Sequence, residues 1–282
     1  MYADDCKLYK SIESPFDTFK LQADLDSLSR WSTENHIPLN IFKCKCMRFH
    51  RFRTKDPFVY NYNINGILLD EVDEIKDLGV IIDRKLEFSS YITKMVSKCL
   101  RNLGWIKRNT RLFTDTAAIK SLYNAYVRPH FLFASPIWSP YNDVDIKQIE
   151  KVQHIFMRYL DFKSDKKMTR FDHNYKEVSC QFNVFTISST LKYFDIVYAY
   201  CIKNKLIKNQ DICKRFSKRK NQFNVRDFRT YAEVATINDY NYFSVFPRVL
   251  RSWNTIPNEI RELKSIEQFK SALSSIIFTN YK

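Results

Sequence analysis

Three glycines in 282 residues, Gly66, Gly79 and Gly104, restrict this chain more than any other feature of its sequence. A phosphate-cradling loop needs several glycines close together, in a dinucleotide-binding βαβ unit or in a P-loop. These three are too widely spaced for either, so both kinds of nucleotide fold are excluded. Asn65-Gly66, by contrast, stands between two apolar runs in YNYNINGILLDEV, the pattern of a tight β-hairpin.

The apolar pattern reads as α+β, mostly α. Hydrophobic residues make up 45% of the chain, with 23 Phe and 17 Tyr, which is enough for a core. Asp17 or Thr18 is placed to cap a helix in which Phe19, Leu21, Leu25, Leu28 and Trp31 recur at helical spacing, and Pro38 ends it. LNIFKCKCMRFHR alternates, with Cys44, Cys46 and Arg48 on one side and Lys45, Met47 and Phe49 on the other, which predicts a short strand. The hairpin follows, then a strand-like run from Leu78 to Ile82. From Glu87 the period becomes helical. Apolar stripes run through 88–108, 114–128 and 143–161, interrupted by Pro129, Pro136 and Pro140. KSDKKMTR, at 163–170, reads as a charged linker. Residues 186–208 predict another amphipathic helix, Pro257 suits the first turn of a helix, and Ser265 with Gln268 makes a capping box for the last. The expected division is 1–85, 86–165 and 166–282.

Lys and Arg number 46 against 31 Asp and Glu, a net charge of +15. Such an excess favours a polyanion, nucleic acid first and an anionic membrane surface second. No apolar run is long enough to span a bilayer, and nothing at the N-terminus reads as a secretory leader. Seven cysteines without regular spacing predict reduced thiols, hence an intracellular location in cytoplasm and nucleus. Cys44, Cys46 and His50, with Cys6 as a fourth, lack the spacing of zinc fingers or knuckles, so Cys44 and Cys46 read as one strand face. No nucleophile motif is present, and the five histidines are scattered.

Two basic clusters contain aromatics: Lys107, Arg108 and Arg111 beside Trp105, and Lys214, Arg215, Lys218, Arg219 and Lys220 near Phe216 and Phe223. Cations neutralise phosphates and aromatics stack on unpaired bases. For any single residue a solvated helix face is the simpler reading; for the ensemble the net charge favours nucleic acid. The second cluster also matches a nuclear-localisation patch.

MYADDCKLYK opens the chain. An Asp-Asp pair is common by chance, but the string Tyr-Ala-Asp-Asp is not. Two-metal nucleotidyl transfer needs carboxylates packed together around divalent ions; a solvated turn is the other reading. YADD followed by LQADLDSLSRWSTEN and LNIFKCKCMRF resembles, in that order, the reverse transcriptases of non-LTR (LINE-type, jockey-like) retrotransposons. The likeness continues through YNINGILLDEVDEIKDLGVIIDRKLEF, LFTDTAAIKSLYNAYVRPHFLFASPIWSP and FPRVLRSWNTIPNEIRELKSIEQFKSAL, so it covers essentially the whole chain.

The resemblance implies RNA-directed DNA polymerisation in an intact parent, with Mg²⁺ or Mn²⁺, deoxynucleotides, an RNA template and an RNA/DNA or DNA duplex as partners. It implies that Asp4 and Asp5 are metal-binding and catalytic, that Tyr2 packs beside the primer–template end, and that Lys43 protonates the departing pyrophosphate. It also implies a truncated palm edge, a helical thumb and a helical C-terminal region, with residues 98–111 gripping the duplex. The family uses a third carboxylate from an upstream strand, and here only Met1 precedes Tyr2. Weak metal binding and no polymerisation by this chain alone are therefore expected. A catalytically dead nucleic-acid-binding remnant and a helical protein-interaction protein are the alternatives.

Overall fold

A computed structural model describes residues 5–49, 58–164, 175–216 and 239–279. They form two compact units, Met1–Phe88 and Ser89–Lys282. As expected, the described residues are mostly helical, with a few short strands.

In the first unit, α1 (Pro15–Glu34) begins before the expected cap. Ser14 is the cap and Pro15 the first helical residue. Asp17 reaches back from the third position, accepting from Ser14 N at 3.0 Å and Ser14 Oγ at 2.8 Å. These bonds stabilise the ionised form and hold the Asp17 carboxyl below its ordinary pKa. The helix ends ahead of Pro38, where His36 takes a left-handed φ of 56°.

The inward face of α1 is not the predicted apolar stripe. Thr18, Gln22, Ser29 and Ser32 are buried, whereas Phe19 and Trp31 are 57% and 46% exposed. The reason is the neighbour. Gln22 Nε2 donates to Asn63 O at 2.9 Å, Asn63 N donates to Gln22 Oε1 at 3.1 Å, and Ser29 Oγ donates to Asn65 Oδ1 at 2.8 Å. Strand backbone carries polar groups that must be paired when covered, and a polar helix face supplies them.

After a 3₁₀ turn, Ile41–Lys43, the predicted strand shrinks to β1 (Lys45–Cys46). The expected hairpin is present as β2 (Asn63–Ile64) and β3 (Ile67–Leu68), paired antiparallel. Asn65 and Gly66 have φ of 52° and 78°, the left-handed pair that a type I′ turn needs. β4 (Asp70–Glu71) pairs parallel with β1. A second antiparallel hairpin, β5 (Glu74–Asp77) with β6 (Val80–Asp83), turns through Leu78 and Gly79 at φ 45° and 90°. The predicted strand Leu78 to Ile82 therefore starts later, and its partner β5 escaped detection because Glu74, Lys76 and Asp77 give it little apolar signal. Asp83 then organises the residues that follow, its carboxylate accepting from the backbone N–H of Lys85, Glu87 and Phe88.

The second unit is helical. α2 (Ser89–Asn109) and α3 (Thr116–Tyr126) lead into the short α4 (Arg128–Leu132) and α5 (Ser135–Trp138), both started by prolines. α6 (Asp143–Lys163) runs parallel to α2: Ser89 Oγ donates to Asp145 Oδ2 at 2.6 Å near their N-termini, and Thr110 Oγ1 lies 2.7 Å from Tyr159 Oη at the other end. Leu103, Ile106, Ile119, Val152, Phe156 and Leu160 are fully buried, and Tyr123 stacks on Phe156 with centroids 3.8 Å apart.

Next come α7 (Tyr175–Phe182), α8 (Ile187–Lys203), α9 (Gln210–Arg215), α10 (Asp239–Phe243), α11 (Val245–Asn254), α12 (Asn258–Arg261) and α13 (Ile266–Thr279). Pro257 caps α12, and Ser265 Oγ accepts from Gln268 N at 3.5 Å at the start of α13, where the capping box was expected. α8, α11 and α13 close a core around Ile196, Tyr200, Val249, Trp253 and Phe269. Arg248 ties this core to α5. It donates to Asp195 Oδ2 at 2.8 Å and Oδ1 at 3.3 Å, to Phe243 O at 3.0 Å and to Pro136 O at 2.5 Å. Burial pushes the Asp195 carboxyl pKa up despite the adjacent guanidinium.

Arg248→Ala removes the guanidinium that pairs with a carboxylate only 3% exposed. It is expected to cost about 3–5 kcal/mol, read as a lower urea midpoint at unchanged m-value.

Candidate nucleic-acid interface

The sequence of α2, SSYITKMVSKCLRNLGWIKRN, contains no acidic residue. Its buried side is continuous: Tyr91, Ile92, Met95, Val96, Cys99, Leu103 and Ile106. Burial raises the Cys99 thiol pKa to about 12, so this cysteine is an inert part of the core. The opposite side carries Lys94, Lys98, Arg101, Trp105 and Arg108, all exposed, at alternating spacings of four and three. That spacing keeps them in one row along the helix.

Trp105 is 44% exposed in the middle of this cationic row and sits beside Tyr126 of α3, which is 50% exposed. The ring centroids are 5.4 Å apart and the planes 55° from parallel. Asn102 braces the pair: its Nδ2 donates to Tyr126 O at 2.7 Å and lies 3.2 Å from His130 Nε2. Burial and the nearby Lys98 charge lower the His130 pKa, which favours the neutral ring. The arrangement presents an aromatic surface to a base or sugar and cations to flanking phosphates.

The structure separates the predicted residues. Trp105 and Arg108 belong to the row. Lys107 points to α6 instead, with its ammonium 5.5 Å from the centre of the Tyr159 ring, and burial lowers its pKa. Arg111 is exposed just beyond the helix. Lys98 and Arg101 fall within the expected stretch 98–111 without being singled out, while Lys94 and Tyr126 were not named from sequence. Extending the helical period backwards from Trp105 finds the first three; Tyr126 requires the packing of α3. In the second cluster Lys214 is exposed, while 217–220 and the Arg215 side chain lie outside the described residues.

Of the catalytic candidates, Asp5 and Lys43 are among the described residues. Tyr2 and Asp4 lie outside the described residues, as does His50. Asp5 is exposed, and Lys43 is exposed at the end of the 3₁₀ turn, its N–H donating to Asn40 O at 3.0 Å. Among the described residues no three His, Cys, Asp or Glu side chains converge on one point. Asp5 by itself does not fit Mg²⁺, which takes near-octahedral oxygen coordination. Cys44 and Cys46 form no metal cluster with described neighbours either. No described helix is long and apolar enough to cross a membrane.

No family model and no solved structure matches the chain. Its sequence is similar to that of the RNA-directed DNA polymerase from mobile element jockey of Drosophila funebris, 26% identical over 196 residues, 64% of this chain and 21% of that protein. It is also similar to the RNA-directed DNA polymerase from mobile element jockey of Drosophila melanogaster, 24% identical over 193 residues, 63% of this chain and 20% of that protein. The resemblance to non-LTR retrotransposon polymerases therefore holds, and the chain spans about a fifth of the length of the curated relatives it matches.

The lowered His130 pKa has a sign that can be checked. The folded state binds fewer protons here than the unfolded chain, so its contribution is present above the ordinary imidazole value of about 6.5 and is lost as pH falls through the depressed one. His154 shifts the same way, through burial and Arg158. Stability measured by denaturant unfolding is expected to fall between about pH 7 and 5, and His130→Gln should make that slope shallower.

Proposed function

We propose that this chain is part of a non-LTR retrotransposon reverse transcriptase and that its second unit grips a template–primer duplex through α2. The single observation carrying this reading is the acid-free row Lys94, Lys98, Arg101, Trp105 and Arg108 on the exposed side of α2. The similarity to RNA-directed DNA polymerases supplies the substrate class, an RNA template with an RNA/DNA or DNA duplex. In this reading the first unit is a palm edge and the helices that follow Ser89 form a thumb and C-terminal region.

Asp4 and Asp5 are the proposed carboxylates for Mg²⁺ or Mn²⁺ in the parent enzyme, Tyr2 an aromatic against the primer end, and Lys43 a proton donor to pyrophosphate. Because Asp5 lacks converging acidic neighbours among the described residues, this chain alone is proposed to bind duplex without copying it.

A dipole argument gives the competing explanation for part of the row. Lys107 and Arg108 sit in the last turn of α2, where cations stabilise any helix by about 0.3–1 kcal/mol. Lys94 and Lys98 lie beyond the first turn and far from the last, where the dipole gives them no support, so helix stability does not account for the whole row.

Binding of a fluorescent RNA/DNA duplex, measured by anisotropy across salt concentrations, tests the proposal. Affinity should fall steeply with salt, and Lys98→Ala, Arg101→Ala and Arg108→Ala should each reduce the log–log slope by about 1. Lys107→Gln should leave the slope unchanged, because its ammonium faces Tyr159. Salt-independent binding would sink the reading. Primer extension on an RNA template with Mg²⁺ or Mn²⁺ should give no product; product that disappears in Asp4→Ala would show a completed catalytic site.

A further inference from the structure

Beyond the last turn of α2, Leu112 is 91% exposed and Phe113 44% exposed, directly after the exposed Arg111. A lone exposed leucine carries no information. This one stands on a loop whose backbone is tied down on both sides. Thr110 N and Thr110 Oγ1 both donate to Ile106 O, at 2.9 and 2.8 Å, and Phe113 N donates to Thr110 O at 3.1 Å. From α6, Lys163 Nζ donates to Arg111 O at 2.5 Å and to Phe113 O at 3.0 Å. Tyr159 Oη lies 3.2 Å from Thr110 O as well as 2.7 Å from Thr110 Oγ1. On the far side Asp115 caps α3, accepting from Ala117 N at 2.8 Å.

Two long side chains of α6 are thus committed to fixing a loop whose tip is apolar and open. A preorganised tip loses little freedom when it makes a contact, so the contact retains most of its value. The surroundings select the kind of contact. Arg108 and Arg111 flank the tip, and no acidic residue occurs between Ser89 and Phe113. That charge suits a polyanion.

Building on the nucleic-acid reading of α2, we propose that residues 111–113 are a wedge: Leu112 inserts at a base step of the bound duplex while Arg111 holds the adjacent phosphate. Leucine and phenylalanine wedges beside cations are a general means of partly unstacking a duplex, at a cost of a few kcal/mol per step that the added contact must exceed. Phe113, the next residue, is 44% exposed and adds apolar area to the tip. The row on α2 fixes the backbone, and the tip reads the stack.

The test uses the full chain and an RNA/DNA duplex carrying 2-aminopurine at successive steps. Wild-type protein should raise the fluorescence at one register. Leu112→Ala, at a site too exposed to affect folding, should abolish that rise and weaken binding about tenfold with no change in salt slope, since only apolar contact is removed. Arg108→Ala should change the slope and keep the rise. Leu112→Ala that binds and fluoresces like wild type, while Arg108→Ala is weakened, overturns the wedge and leaves the α2 interface standing. Wild-type binding without salt dependence overturns both. Sedimentation of the free chain closes the remaining route: self-association that Leu112→Ala abolishes makes the tip a contact between copies and overturns the proposal.

Discussion

Burial of one side of α2 against its neighbours decides the rest of the second unit. Seven side chains from Tyr91 to Ile106 leave water, each contributing about 1.5–3 kcal/mol for the larger apolar ones. Exposed charge pairs and dipole effects act at tenths of that. The rotation of the helix is therefore set by its apolar stripe, and the cations have no choice of direction. Once Leu103 and Ile106 face inward, Trp105 and Arg108 must face out and Lys107 must lean on Tyr159. The exposed cationic row is a by-product of core packing.

The same logic separates what was legible in the sequence from what was not. Long helices with a clear apolar period, α2, α6 and α8, appear where the pattern placed them. The Asn65-Gly66 turn was legible because two left-handed residues in a row have few other uses. The inward face of α1 was not. Hydrophobic periodicity assumes that the surface opposite a helix is apolar, and here it is the backbone of β2 and its turn, with Gln22 and Ser29 supplying the hydrogen bonds. β5 failed for a related reason. Half of a two-stranded ribbon needs no apolar face when its pairing is carried by backbone bonds to β6.

For the proposed site, the sequence pointed to the stretch that ends α2, and the structure divides its residues between two faces. A basic cluster read as a string counts Lys107 and Arg108 as equivalent neighbours. On a helix they lie roughly 100° apart, one against α6 and one in solvent. Lys98 and Arg101 fell inside the expected stretch 98–111 without being singled out and Lys94 fell outside it, although the same period that identifies the core also identifies all three. Tyr126 was invisible until α3 packed beside α2. The YADD motif has the opposite character: its chemistry is legible only as a resemblance, since two adjacent carboxylates by themselves are compatible with any solvated turn.

The two units also differ in what they can hold still. In the first, the buried apolar side chains among the described residues are Tyr62, Ile64 and Val80, while Phe16, Phe19, Trp31 and Phe42 are open. Its order rests on hydrogen bonds such as those of Gln22 and on ion pairs of Arg48 and Arg84 with Glu71, interactions worth about 1 kcal/mol or less apiece near water. A unit with so little buried apolar area opens locally at low cost. Electrostatic catalysis depends on groups fixed before the reaction begins. Gripping a duplex asks less, because phosphates tolerate adjustment of long cationic side chains and the aromatic surface sits on a helix with a deep core. The proposal of holding rather than copying therefore draws on where the apolar area of the described residues is buried.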